Sequence, residues 1–99
     1  MAWLIESFLN ENEDIKKAIE NHKQEIKKID SAEKQRIAKV NDEADYRIDR
    51  NPDKEKRINR VRKLQIASIR KGAEVVKQKH RDAINTLEKT KEDMGGSES

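Results

Sequence analysis

The sequence lacks cysteine, contains a single proline, Pro52, and has no glycine before Gly72. Without cysteine, a disulfide framework and a thiolate metal site are both excluded. The same absence is typical of a reducing compartment, so we expect a cytoplasmic location. Proline and glycine are the residues that most often interrupt helices, and their scarcity therefore favours long helices.

Aromatic and apolar residues are also scarce: 3% of the chain is aromatic and 32% is hydrophobic, against 43% charged. That is too little apolar material for a conventional globular core, but it is typical of long helices with a narrow apolar seam. Disorder is the competing interpretation, yet disordered segments do not keep a helical period. No apolar run reaches transmembrane length. We expect no secretory signal, because Glu6 interrupts the apolar start and the first lysine is Lys16.

The strongest break in the chain is the tetrapeptide Arg50-Asn51-Pro52-Asp53. Proline disfavours helical geometry at the preceding residue, so a first helix is predicted to end near Asn51. Asn51 is a favoured N-cap and Pro52 suits the first position of a second helix. Asp53 and Glu55 then lie near the positive end of that helix. The sequence therefore predicts two helices joined by a turn at 50–53.

Before the break, residues of mostly apolar type recur at alternating steps of three and four. This predicted α1 seam consists of Ile15, Ile19, His22, Ile26, Ile29, Glu33, Ile37, Val40, Ala44 and Ile48. The isoleucines at 15, 26, 37 and 48 are each eleven apart, and an eleven-residue repeat indicates a nearly straight helix.

After the break, a second seam has the same period. Its predicted members are Ile58, Val61, Gln65, Ile69, Gly72, Val76, His80, Ala83 and Leu87. Folding the chain at the break pairs the two seams, with Ile48 opposite Ile58, Ile37 opposite Ile69, Ile29 opposite Val76 and Ile19 opposite Leu87. In this register His80 lies across from Ile26, one turn from His22.

The two seams predict an all-α fold: a long antiparallel two-helix hairpin, coiled-coil-like, with an eleven-residue repeat. We expect an N-terminal apolar and aromatic segment at 1–10, the hairpin at 11–94 and a flexible tail at 95–99. Leu64 and Val75 lie on one flank of the second seam, while Ile66, Ala73 and Ile84 widen its other edge. The wider apolar arc indicates a second contact surface, and we expect self-association into a four-helix bundle.

Two surfaces are candidates for binding a partner. The N-terminal patch, Trp3, Leu4, Phe8 and Leu9, extends beyond the paired helices and contains aromatic residues of the kind that anchor interfaces. Its alternative role is packing within the protein's own assembly. From Asn51 to Asp82 the chain has eleven basic and four acidic residues. Seven of these cations form a predicted basic face on the second helix: Lys56, Arg60, Lys63, Arg70, Lys71, Lys77 and Arg81.

Three polar residues of the seams are candidates for chemistry. His22 and His80 fall near one end of the hairpin with Glu25 close by, but a zinc site needs three or four ligands. Glu33 lies opposite Gly72 and is interpreted as a polar residue that fixes the register. We therefore expect a non-enzyme without cofactor or metal. The predicted function is a regulator, inhibitor or assembly adaptor that binds another protein, and the alternative is nucleic-acid binding through the basic face.

Overall fold

The computed structural model describes the backbone of residues 2–96 and the side chains of residues 11–93. Helix α1 spans Ala2–Arg50, a short 3-10 helix spans Pro52–Lys54, and helix α2 spans Glu55–Gly96. Over residues 2–96 the chain forms no strand. The prediction of an all-α hairpin built from two long helices is confirmed.

The paired helices divide into two compact units. The turn unit is Lys28–Val76, and the terminal unit combines Met1–Lys27 with Lys77–Ser99. Each unit contains one stretch of α1 and one of α2. Across the described backbone of 2–96, neither helix has a segment that is both long enough and apolar enough to span a membrane.

Asn51 ends α1 but does not cap the following helix through its side chain. Its backbone nitrogen donates to the carbonyl oxygen of Arg47 at 2.9 Å, and its Nδ2 donates to the same oxygen at 3.4 Å. Asn51 is the N-cap residue of the 3-10 helix, as predicted, although its side chain makes no capping hydrogen bond. The physical reason is that the last carbonyls of α1 also need donors, and the amide of Asn51 satisfies one of them.

The seam predicted for α1 is the face that the structure covers. All of its members from Ile15 to Ile48 are buried or half-buried, with Ile19 and Ala44 among the most buried apolar residues. This agreement follows from the uninterrupted period of α1, whose seam contains isoleucine at most positions.

The seam of α2 is rotated from its predicted position. Val61 and Val76 are 45% and 43% exposed, and Gln65 and Gly72 are exposed as well. Five predicted members are covered: Ile58, Ile69, His80, Ala83 and Leu87. The other covered positions are Asn59, Arg62, Ile66, Ala73, Lys77, Arg81 and Ile84. The apolar pattern failed here because Arg62 and Lys77 occupy covered positions, which a hydrophobic pattern does not count.

Candidate functional site

A groove opens in the turn unit between the end of α1 and the start of α2, with a volume of about 430 Å3. Four apolar residues, four cations and three other polar residues line it. They are Val40, Ala44, Ile58 and Val61; Arg47, Lys54, Arg57 and Arg62; and Glu43, Asn51 and Gln65. This turn groove therefore combines an apolar surface with an excess of positive charge.

The cations of the turn groove differ in whether they are already engaged. The Arg62 Nη1 atom donates to Asp45 Oδ1 at 2.9 Å, and Nη2 donates to Asn59 Oδ1. Among the side chains of residues 11–93, three exposed cations of the groove form neither an ion pair nor a side-chain hydrogen bond: Arg47, Lys54 and Arg57. These three are available to an anionic ligand.

A second groove in the turn unit has a volume of about 380 Å3. Its lining residues from α1 are Ile29, Ala32, Glu33 and Arg36, and those from α2 are Ser68, Ile69, Gly72, Ala73 and Val76. Glu33 is half-buried and shares this lining with Gly72 and Ala73, as the sequence predicts. The small residues leave space beside the carboxylate, which fits a polar residue that fixes the register.

In the terminal unit, His22 and His80 are in direct contact, with their Nδ1 atoms 2.8 Å apart. The ring centroids are 5.1 Å apart. The distance between the centroids equals the distance between the Nδ1 atoms plus roughly one ring radius for each imidazole. Each Nδ1 atom therefore lies near the line that joins the two ring centres, and the two nitrogens point at each other. One nitrogen must donate and the other accept, so the pair holds one proton between them.

This contact corrects the predicted register, which placed His80 opposite Ile26 and one turn from His22. The direction of the two nitrogens suits a shared proton, because a chelated metal needs both lone pairs to converge on a third point. Within residues 11–93, no group of three or more His, Cys, Asp or Glu is placed to hold a metal ion.

The predicted N-terminal patch has a helical backbone, because α1 begins at Ala2. The side chains of Trp3, Leu4, Phe8 and Leu9 lie outside the described residues.

The predicted basic face is only partly assembled by the structure. Its exposed members all lie in the turn unit: Lys56, Arg60, Lys63, Arg70 and Lys71. Lys77 is 9% exposed, so its assignment to an outer face is wrong, since it lies on the covered side of α2. Arg81 is half-buried and belongs to the terminal unit.

Sequence reasoning missed the cations of the turn groove. Arg47, Lys54 and Arg57 flank the Asn51-Pro52 break on both sides, and this clustering around a turn is the signal that would have found them. The predicted basic face contains cations of α2 alone, whereas the turn groove is lined by cations from both helices and the turn between them.

The chain matches no protein-family model, no curated protein and no solved structure.

Proposed function

We propose that this chain is a non-enzymatic helical-hairpin interaction module that self-associates into a four-helix bundle and binds an acidic segment of another protein. The observation that carries the proposal is the turn groove, where exposed Arg47, Lys54 and Arg57 surround an apolar surface. An amphipathic segment with carboxylates beside apolar side chains complements both properties at once.

The chemistry of the three cations supports an acidic partner. A guanidinium group binds a carboxylate through two parallel hydrogen bonds, which gives direction as well as attraction. Arg47 and Arg57 offer that geometry from α1 and α2, and Lys54 adds a point charge from the turn. One carboxylate, Glu43, lies in the same lining. The balance of charge in the groove therefore favours an anionic ligand.

The N-terminal patch is the second part of the proposed binding surface. Trp3, Leu4, Phe8 and Leu9 enter the proposal on their residue types alone, because tryptophan and phenylalanine are frequent interface anchors. Replacing Trp3 and Phe8 together by alanine is expected to reduce partner binding while circular dichroism stays unchanged.

Nucleic acid is the alternative ligand, and the exposed Lys56, Arg60, Lys63, Arg70 and Lys71 favour it. A phosphate backbone requires positive charge but makes no use of an apolar surface. The apolar residues of the turn groove, including Val40 and Ala44, are better explained by a protein segment.

The test compares three probes at low and moderate salt: an amphipathic helical peptide with Glu on one face and Leu on the other, poly-glutamate of equal charge, and a DNA duplex. We expect the amphipathic peptide to bind most tightly and to lose the least affinity with salt, because part of its binding energy is apolar. Tighter binding of the duplex, with a steep salt dependence, would favour nucleic acid.

Two variants of equal charge change separate the surfaces. Arg57→Glu lies in the turn groove, whereas Lys63→Glu lies on the exposed basic face outside it. We expect Arg57→Glu to weaken peptide binding about tenfold or more and Lys63→Glu to change it little. A larger loss of peptide affinity for Lys63→Glu than for Arg57→Glu would contradict the turn groove as the binding site.

A further inference from the structure

Helix α2 of the turn unit has an exposed apolar face, one edge of which borders the two grooves. Val61, Leu64 and Val75 are 45%, 67% and 52% exposed. Together with Ser68 and Gly72 they follow one another at steps of three, four, four and three, so all five share one face of the helix. We call this face the Leu64 stripe.

Gly72 lines the second groove, but its position on α2 is exposed. A glycine inside a helix is destabilising relative to alanine, and it is usually kept where another backbone approaches closely. A Cβ atom added at Gly72 would meet nothing within 4 Å. The recess at Gly72 is therefore open.

The Leu64 stripe is symmetric about Ser68. Leu64 and Gly72 are each four residues from Ser68, and Val61 and Val75 are each seven residues from it. We infer that the stripe is a homodimer interface in which α2 pairs antiparallel with α2 of a second copy, with the two-fold axis at Ser68. This inference specifies the contact in the proposed self-association and rests on it.

The symmetry places a large residue over a small one. Leu64 of each copy lies over Gly72 of the other, and Val61 lies beside Val75 of the other. An isologous interface requires this self-complementarity, because the same patch serves both copies. In this dimer the side chain of Leu64 fills the open recess at Gly72, so one interface accounts for both features.

The charges along the helix are compatible with this pairing. About the same axis Arg62 is level with Glu74 of the second copy, Lys63 with Ala73, and Lys71 with Gln65. Between residues 60 and 76 no cation is level with another cation. The basic character of α2 therefore does not oppose the antiparallel arrangement.

The first experiment uses the absence of cysteine from the natural chain. Ser68→Cys places one thiol at the proposed axis, and Lys63→Cys places one on the exposed basic face as a matched control. Under mild oxidation we expect Ser68→Cys to form a covalent dimer rapidly at low protein concentration. Equal cross-linking of the two variants would overturn the proposed axis.

The second experiment measures the oligomeric state by sedimentation. The unaltered chain is expected at twice its 11.6 kDa mass, and Leu64→Asp is expected to dissociate with dimer affinity lowered about tenfold or more. Leu64 is exposed, so Leu64→Asp should keep its helical circular dichroism.

The outcomes separate this inference from the proposal it rests on. An unaltered chain that sediments as a monomer would overturn self-association and the interface together, while acidic-peptide binding would still test the turn groove. A dimeric chain whose Leu64→Asp variant stays dimeric would overturn only the Leu64 stripe as the interface.

Discussion

His22 and His80 lie 29 residues before and 29 residues after Asn51, and their Nδ1 atoms are 2.8 Å apart. Both rings are half-buried, and the buried Ile19 and Ile84 lie within four residues of them along their helices. A one-turn shift of α2 along α1 would separate the two rings. The histidine pair therefore favours one register of the terminal unit over its neighbours.

A double-mutant cycle of His22→Ala and His80→Ala tests this role. At neutral pH we expect a coupling energy of about 1 kcal/mol, since the pair forms one hydrogen bond. Chemical unfolding of the four variants measures the coupling energy, and a coupling near zero would contradict the hydrogen bond between the two rings.

The seam of the turn unit should be sensitive to charge. Ile37→Asp and Ile69→Asp each place a carboxylate at a half-buried position, and we expect each to lower the free energy of unfolding by about 2 kcal/mol or more. Lys63→Asp, at an exposed position, is the control and should keep its helicity. Circular dichroism during thermal unfolding measures all three. Similar losses of stability in all three variants would show that the covered and exposed faces of the helices are misassigned.

The rotated seam of α2 makes a separate prediction. Ile66 is half-buried, whereas Val61 is exposed, although the apolar pattern assigned Val61 to the seam and Ile66 to its edge. We expect Ile66→Asp to destabilise the hairpin by about 2 kcal/mol and Val61→Asp by well under 1 kcal/mol. The comparison is made on the Leu64→Asp background to remove any effect of self-association. A larger loss of stability for Val61→Asp than for Ile66→Asp would show that the covered face is the one predicted from the sequence, with Val61 in the seam.

Pro52 is expected to stabilise the folded protein by restricting the conformations of the unfolded chain. It occupies the first position of the 3-10 helix, where its fixed backbone angle is already suitable. We expect Pro52→Gly to lower the free energy of unfolding by about 1 kcal/mol, because glycine gives the unfolded chain more freedom. Denaturant unfolding measures the change. An unchanged midpoint would show that Pro52 does not restrict the chain.

Gly72 should behave differently in the monomer and in the proposed dimer. On the Leu64→Asp background, Gly72→Ala is expected to raise stability by about 0.5–1 kcal/mol, since the added methyl group meets open space. In the otherwise unaltered chain the same methyl group should weaken dimerisation by filling the recess under Leu64. Unfolding and sedimentation measure the two effects. Loss of stability on the monomeric background would contradict an open recess.

The sequence by itself determined the hairpin, its break and the covered face of α1. Pro52 disfavours helical geometry at Asn51, and no other proline interrupts either helix. The period of the isoleucines then determines which side of α1 is buried, because a helix can present only one side to a single neighbour. These features depend on residues close together in the chain, so local patterns are sufficient to predict them.

Only the tertiary structure decided the face of α2, the contact between the histidines and the assembly of the turn groove. Two apolar edges of α2 compete for α1, and the covered edge includes Arg62 and Lys77, which a hydrophobic pattern does not count. The register likewise depends on how closely the helices approach across the turn. Such choices depend on packing between residues far apart in the chain, where small differences in side-chain volume decide between neighbouring registers.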